Sequence, residues 1–241
     1  KEVIKMALSG LHRNWRNGSY LADRDYLIKM LENPKLAKGT DLSGLRPHWD
    51  TYRSIAIGYG LDLLVNSNNI INSYLTAAGL STLSPEDEAL LNSARSTRPV
   101  DRSRAYLEDI ASRLSITLPS EPAASTLLGV VVSSFETQLD NRLGYSMLDS
   151  KERIALVSMV YNAGAGIIGP KLTAAIANDN RAEAWFEIMY NSNSDRGHTR
   201  RRYQEAEMFS LYDNGPILVA ESKEVMRMYK KQPAFSYQLS A

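Results

Sequence analysis

Three carboxylates in the first quarter of the chain, Glu32, Asp41 and Asp62, have the types and contexts that acid–base work on a glycosidic bond requires. Glu32 closes an apolar-periodic stretch that reads as a helix, where the macrodipole is negative and a charged carboxylate is disfavoured. Such a position should raise its pKa and suit it to proton donation. Taken by position alone, it also suits a solvated surface glutamate. Asp41 lies nine residues on, in a loop rich in Gly and polar residues that should keep it ionised. Asp62 follows Gly58-Tyr59-Gly60, and Asp50 is a further competitor. One protonated and one ionised carboxyl are what hydrolysis of a glycoside needs: an acid for the leaving oxygen and a base or stabiliser opposite it.

These residues must be positioned by the elements around them. From Glu2 to Leu31 the apolar residues recur at helical spacing with a break at Asn17-Gly18, which predicts two helices. Pro34, Gly39, Gly44 and Pro47 punctuate a loop that should last until Trp49. Tyr52, Ile55, Ile57 and Tyr59 then predict the one strand region, from Thr51 to Gly60. Beyond it the texture is helical, and Ser84-Pro85, Asp149-Ser150 and Asn180-Arg181 place capping side chains before apolar stretches. Helices are expected near 85–95, 101–114, 124–144, 150–162, 171–178, 181–191, 199–212 and 217–230, with a corner at Pro119–Pro122. The fold class expected is α+β, mostly α, in a single domain over 1–241. A small β-containing lobe at about 33–65 is inserted in a larger helical body, and a helical insert occupies about 84–126.

Composition narrows the classes of function. Lys and Arg number 28 against 27 Asp and Glu, so a net charge of +1 argues against a general nucleic-acid or anionic-membrane binder. With 0 cysteines the chain has no disulfide scaffold, thiolate metal site or thiol nucleophile. His12, His48 and His198 are too scattered for a helical metal motif, and no metal or organic cofactor is expected. The apolar runs fall short of the ~20 residues that span a bilayer, so membrane insertion is not expected. The Gly164, Gly166, Gly169 stretch reads as a helix-ending turn, since no Lys-Ser/Thr follows it. Arg196, Arg200, Arg201 and Arg202 form a basic cluster, with Glu205 and Glu207 one turn away on what should be a helix surface.

The order helix-ending Glu32, loop Asp41, then Ile55-Ala56-Ile57-Gly58-Tyr59-Gly60 resembles the catalytic start of phage-type lysozymes, glycoside hydrolase family 24. Ile57 to Leu63, with its Gly-x-Gly-x-Asp-Leu, is similar to the pesticin-like members of that group, bacterial toxins that carry the same domain. Tyr161-Asn162-Ala163-Gly164-Ala165-Gly166 is similar to the exit of the family's central helix, and Arg201-Arg202-x-x-Glu205 to its Arg-Arg-x-x-Glu helix. Ala56 departs from the pattern, standing where the family has a strand Thr.

The resemblance implies a lysozyme-like two-lobed fold and a muramidase that cleaves the β-1,4 bond between N-acetylmuramic acid and N-acetylglucosamine. Glu32 would be the general acid, and Asp41 or Asp62 the second carboxylate. Ser54 or Thr51 would supply the hydroxyl that Ala56 lacks. Trp49, Tyr52, Tyr59, Asn162 and Arg201 are the implied substrate contacts. Inversion is the implied outcome, with carboxyl groups roughly 6.5–9.5 Å apart. The implied partner is bacterial peptidoglycan, with an immunity protein if the chain is a toxin. The implied setting is a secreted or delivered antibacterial effector, as in type VI secretion, or a phage lysin, acting in the periplasm or cell wall of target bacteria. Opening on Lys1, the chain reads as a piece of a longer protein. The other readings are a lytic transglycosylase, which needs one Glu only, a glycan- or partner-binding helical module without activity, and a nucleic-acid-binding domain.

Overall fold

A computed structural model describes residues 19–50, 53–192 and 198–210. The expected helices before Asn17 and near 217–230, together with His12, Thr51, Tyr52 and Arg196, lie outside the described residues. The rest is α+β and mostly α: helices carry most of the chain, and one three-stranded antiparallel sheet accompanies them. Two compact units are present, one of residues 25–134 and one of 19–24 with the described residues from 135 onward.

In the unit of residues 25–134, α1 (Tyr20–Glu32) ends at Glu32 and the one-turn α2 (Pro34–Ala37) follows. Three short strands form the sheet, β1 (His48–Asp50), β2 (Ser54–Ile57) and β3 (Leu61–Asp62). The expected single run of 51–60 is thus corrected to a meander whose outer strands lie on either side of it. The cause is the pair Gly58 and Gly60 at φ +68° and +98°, which turns the chain back so that Ile57 pairs Leu61 and Ala56 pairs Asp62. Trp49 pairs Ile55 on the other edge of β2, whose four residues are all buried.

Helix α3 (Asn68–Ala77), capped by Ser67, was not expected from its Asn-rich sequence. Its Ile71 and Leu75 are the buried i, i+4 pair, while Asn68 and Asn72 bond to Arg95 and to the Leu83 N–H. The Ser84 hydroxyl caps α4 (Pro85–Ser96) by accepting from the Asp87 N–H at 3.0 Å, as the sequence suggested. A 3₁₀ turn at Pro99–Asp101 delays α5 to Arg104–Arg113, behind a Ser103 cap. Helix α5 packs on β1 and β2, and the Leu118 N–H bonds to the Leu45 carbonyl at 2.8 Å. Helix α6 (Glu121–Leu143) starts earlier than expected, because Pro122 sits in a first turn whose N–H groups need no helical acceptor.

In the other unit α7 (Lys151–Ala163) is buried from Glu152 to Val160, capped by the Ser150 hydroxyl and ended by Gly164 at φ +73°. After it come α8 (Pro170–Ala177), α9 (Arg181–Phe186) and α10 (Thr199–Phe209). The expected helix at 181–191 changes from α to π geometry at Glu187–Asn191. No helix among the described residues is long and apolar enough to cross a membrane.

Candidate functional site

Glu32 is the last residue of α1 and is partly exposed. Asn33 follows and caps α2, its Oδ1 accepting the Leu36 N–H at 3.1 Å. The chain then folds back, the Lys35 carbonyl accepting the N–H of Thr40 at 3.0 Å and of Asp41 at 3.4 Å. Asp41 Oδ1 accepts the Ser43 N–H at 2.9 Å. That backbone bond first, and the Ser43 side chain second, hold the Asp41 carboxyl below its ordinary range.

Gly44 fixes where this loop lies. A Cβ there would sit 2.5 Å from Asn33 Nδ2 and 3.3 Å from Leu36 Cδ2, so the backbone approaches closely the residue next to Glu32. The Gly44 carbonyl also accepts the Gly58 N–H at 2.7 Å. Among the described residues, then, the Asp41 loop is held between Asn33 and the turn of the sheet.

Asp62 is differently employed. Its Oδ1 accepts the Ser54 hydroxyl at 2.6 Å and the N–H groups of Leu64 and Val65 at 2.8 Å each. Ser54 is buried and gives its proton to Asp62 across the diagonal of the β2–β3 pair, on the side of the strand where Ala56 faces Asp62. This pair closes the turn after β3. The Ser54 hydroxyl, expected to stand in for the one that Ala56 lacks, is committed to that turn.

The Tyr59 ring, expected as a substrate contact, is only 2 % exposed, which removes it as a stacking platform. Its hydroxyl donates to Glu121 Oε1 at 2.6 Å, and burial, with Glu121 beside it, pushes the phenol pKa well up. The same oxygen accepts from Ser125 at 2.6 Å and pairs with Lys29 Nζ at 2.8 Å. Burial acts to raise the Glu121 pKa, yet the bonds from Lys29, Ser125 and Tyr59 leave it lowered. Lys29, one turn before Glu32 on α1, also lies over the Tyr59 ring at 5.4 Å. Sequence reading missed this hub. Its one signal was Glu121 itself, an acid in the first turn of a helix directly after the Pro119 corner. Trp49 keeps partial exposure, but the Arg104 guanidinium covers one of its faces at 4.5 Å.

Asn162 and Arg201 belong to the other unit. Asn162 Oδ1 accepts from Arg202 Nη2 at 3.1 Å. Arg201 reaches Glu205 at 3.0 Å and the Ser158 carbonyl at 3.2 Å. Glu205 is 0 % exposed and also takes a bond from the Ser158 hydroxyl at 2.7 Å and a salt bridge from Arg202. The basic cluster read as a helix surface is therefore corrected in part: Arg202 is buried, because Glu205 and the Ser192 carbonyl draw it inward.

Among the described residues no group of three or more His, Asp or Glu could hold a metal ion. No protein family, curated protein or solved structure matches the chain.

Proposed function

We propose that the chain is a muramidase, a glycoside hydrolase acting on bacterial peptidoglycan, in which Glu32 is the general acid and Asp41 the second carboxylate. One observation carries the reading. The loop that bears Asp41 is pinned at Gly44 against Asn33, the residue after Glu32, and against the Gly58 turn, while the Ser43 N–H holds the Asp41 carboxyl below its ordinary range. Chemistry on a glycosidic bond needs such a division of labour, in which the acid protonates the leaving oxygen and an ionised partner polarises water or stabilises oxocarbenium-like charge.

Asp41 is preferred to Asp62 because three donors already occupy Asp62 Oδ1 and serve the turn after β3. Trp49, which keeps partial exposure, is the aromatic candidate for the glycan. The lysozyme-like assignment of the two units, delivery to the periplasm or cell wall of a target bacterium, and an immunity protein as partner belong to this proposal. Digestion of purified peptidoglycan tests it: wild type should release reducing-end muropeptides, and Glu32→Gln should release none. Anhydro products would replace the muramidase with a transglycosylase. No product from a folded wild-type chain would leave a binding module.

A further inference from the structure

A cavity of about 460 Å³ opens within the unit of residues 25–134, away from Glu32 and Asp41 in sequence, between the loop after α3 and the segment that leads into α6. Leu114, Ile116 and Leu118 are buried while Ser115 and Thr117 are exposed, the period of a strand, although none of these residues is paired in the sheet. Facing them across the cavity is the loop Gly79–Ser84, in which Ser81 and Thr82 are exposed.

The lining contains no Lys, Arg or His. Its one ionisable group, Asp87, is satisfied inside the wall by the Ser115 N–H at 2.7 Å, the Ser115 hydroxyl at 2.9 Å and the Ile116 N–H at 3.0 Å. An anionic ligand would find no counter-charge here, and a cation only one carboxylate, 1 % exposed and already bonded through both oxygens. Ser81, Thr82 and Thr117 line it with hydroxyls, that of Thr117 donating to the Ser115 carbonyl at 3.4 Å, and Leu75, Leu80 and Ile116 supply apolar surface. Among the described residues the N–H groups of Ser81, Thr82 and Thr117 and the carbonyl of Ile116 make no hydrogen bond within the chain. Free main-chain donors and an acceptor, hydroxyls and a small apolar surface together complement a neutral molecule that carries hydroxyls and a methyl amide. The volume falls in the range of small-molecule sites, about 300–1,000 Å³.

We propose that this cavity binds one or two residues of a neutral N-acetylated sugar, giving the chain a second glycan contact outside its candidate catalytic carboxylates. The inference deepens the muramidase reading and rests on it for the source of the glycan, but it does not depend on hydrolysis. The test uses the full chain carrying Glu32→Gln, ¹⁵N-labelled and titrated with N-acetylglucosamine and its β-1,4 trimer. Glucose and an N-acetylated, amidated tri-alanine are the comparison ligands.

Saturable shifts of the Ser81, Thr82 and Thr117 amides with the N-acetylated sugars, absent with glucose, are expected. Thr117→Trp, a change at an exposed residue, should weaken that binding at least about tenfold with the rest of the amide spectrum unmoved. Thr117→Val should weaken it less. Cavity amides that stay still, that move equally for glucose, or that saturate only with the peptide would overturn the proposal, the last outcome making it a peptide site. Cavity binding by a chain whose wild type releases no reducing ends would sink the muramidase and leave this inference standing. Hydrolysis with unmoved cavity amides would do the reverse.

Discussion

Replacing Asp62 separates the two candidate second carboxylates. In Asp62→Asn the amide oxygen can keep the place of Oδ1, so the bonds from Ser54, Leu64 and Val65 survive as neutral ones. Charge-assisted bonds are roughly twice as strong as neutral ones, so the loss is about 0.5 kcal/mol for each of three bonds, about 1.5 kcal/mol in all. For a chain of this size that lowers Tm by about 3–6 °C. Asp62→Ala removes the acceptor altogether and leaves the buried Ser54 hydroxyl and the Leu64 N–H without it. The cost is then about 3–5 kcal/mol. Thermal melts followed by circular dichroism, paired with muropeptide release below the melting range, give both numbers. Asp62→Asn should keep peptidoglycan cleavage within about threefold of wild type, since the reasoning gives it no contact with reacting atoms. An Asp62→Asn chain with unchanged Tm and cleavage down about a hundredfold would refute the reasoning and make Asp62 the second carboxylate.

Other outcomes follow from the same structure. Asp41 should titrate by ¹³C NMR below the ordinary aspartate value of about 3.9, and Ser43→Ala should bring it only part of the way back, since the main-chain N–H remains. The sign is that of a depressed carboxyl: its contribution to stability is present above the ordinary aspartate range and is lost as pH falls through the lowered folded value. Glu205→Gln leaves Arg202 buried without its counter-charge and should cost about 3–5 kcal/mol in a denaturant melt. Gly58→Ala meets a φ of +68° and places a Cβ 3.1 Å from Leu118 Cδ1, so a loss of about 1–2 kcal/mol is expected in the same assay.

Local chemistry was the legible part of the sequence. Ser84, Ser150 and Asn180 announced helix starts because a capping oxygen acts within three residues, and each accepts the N–H three residues on. Glu32 at a helix end and Asp41 in a loop were readable for the same reason. Partners distant in sequence were not. The three-residue β1 is held by its register with β2 rather than by its own propensity. Helix α3 hid behind asparagines whose side chains bond to Leu83 and Arg95, far along the chain. The Tyr59–Glu121 bond joins residues 62 apart, so the ring looked like a glycan contact when it is a buried anchor. Arg202 looked solvated because its neighbours are polar, whereas Glu205 and Asn162 draw it inward.

Peptidoglycan digestion by wild type beside Glu32→Gln and Asp41→Asn, with products identified by mass spectrometry, tests the central claim most directly. The account predicts reducing-end muropeptides from wild type and loss of nearly all release in both folded variants. Release undiminished in Glu32→Gln, or none from a folded wild-type chain, would contradict it.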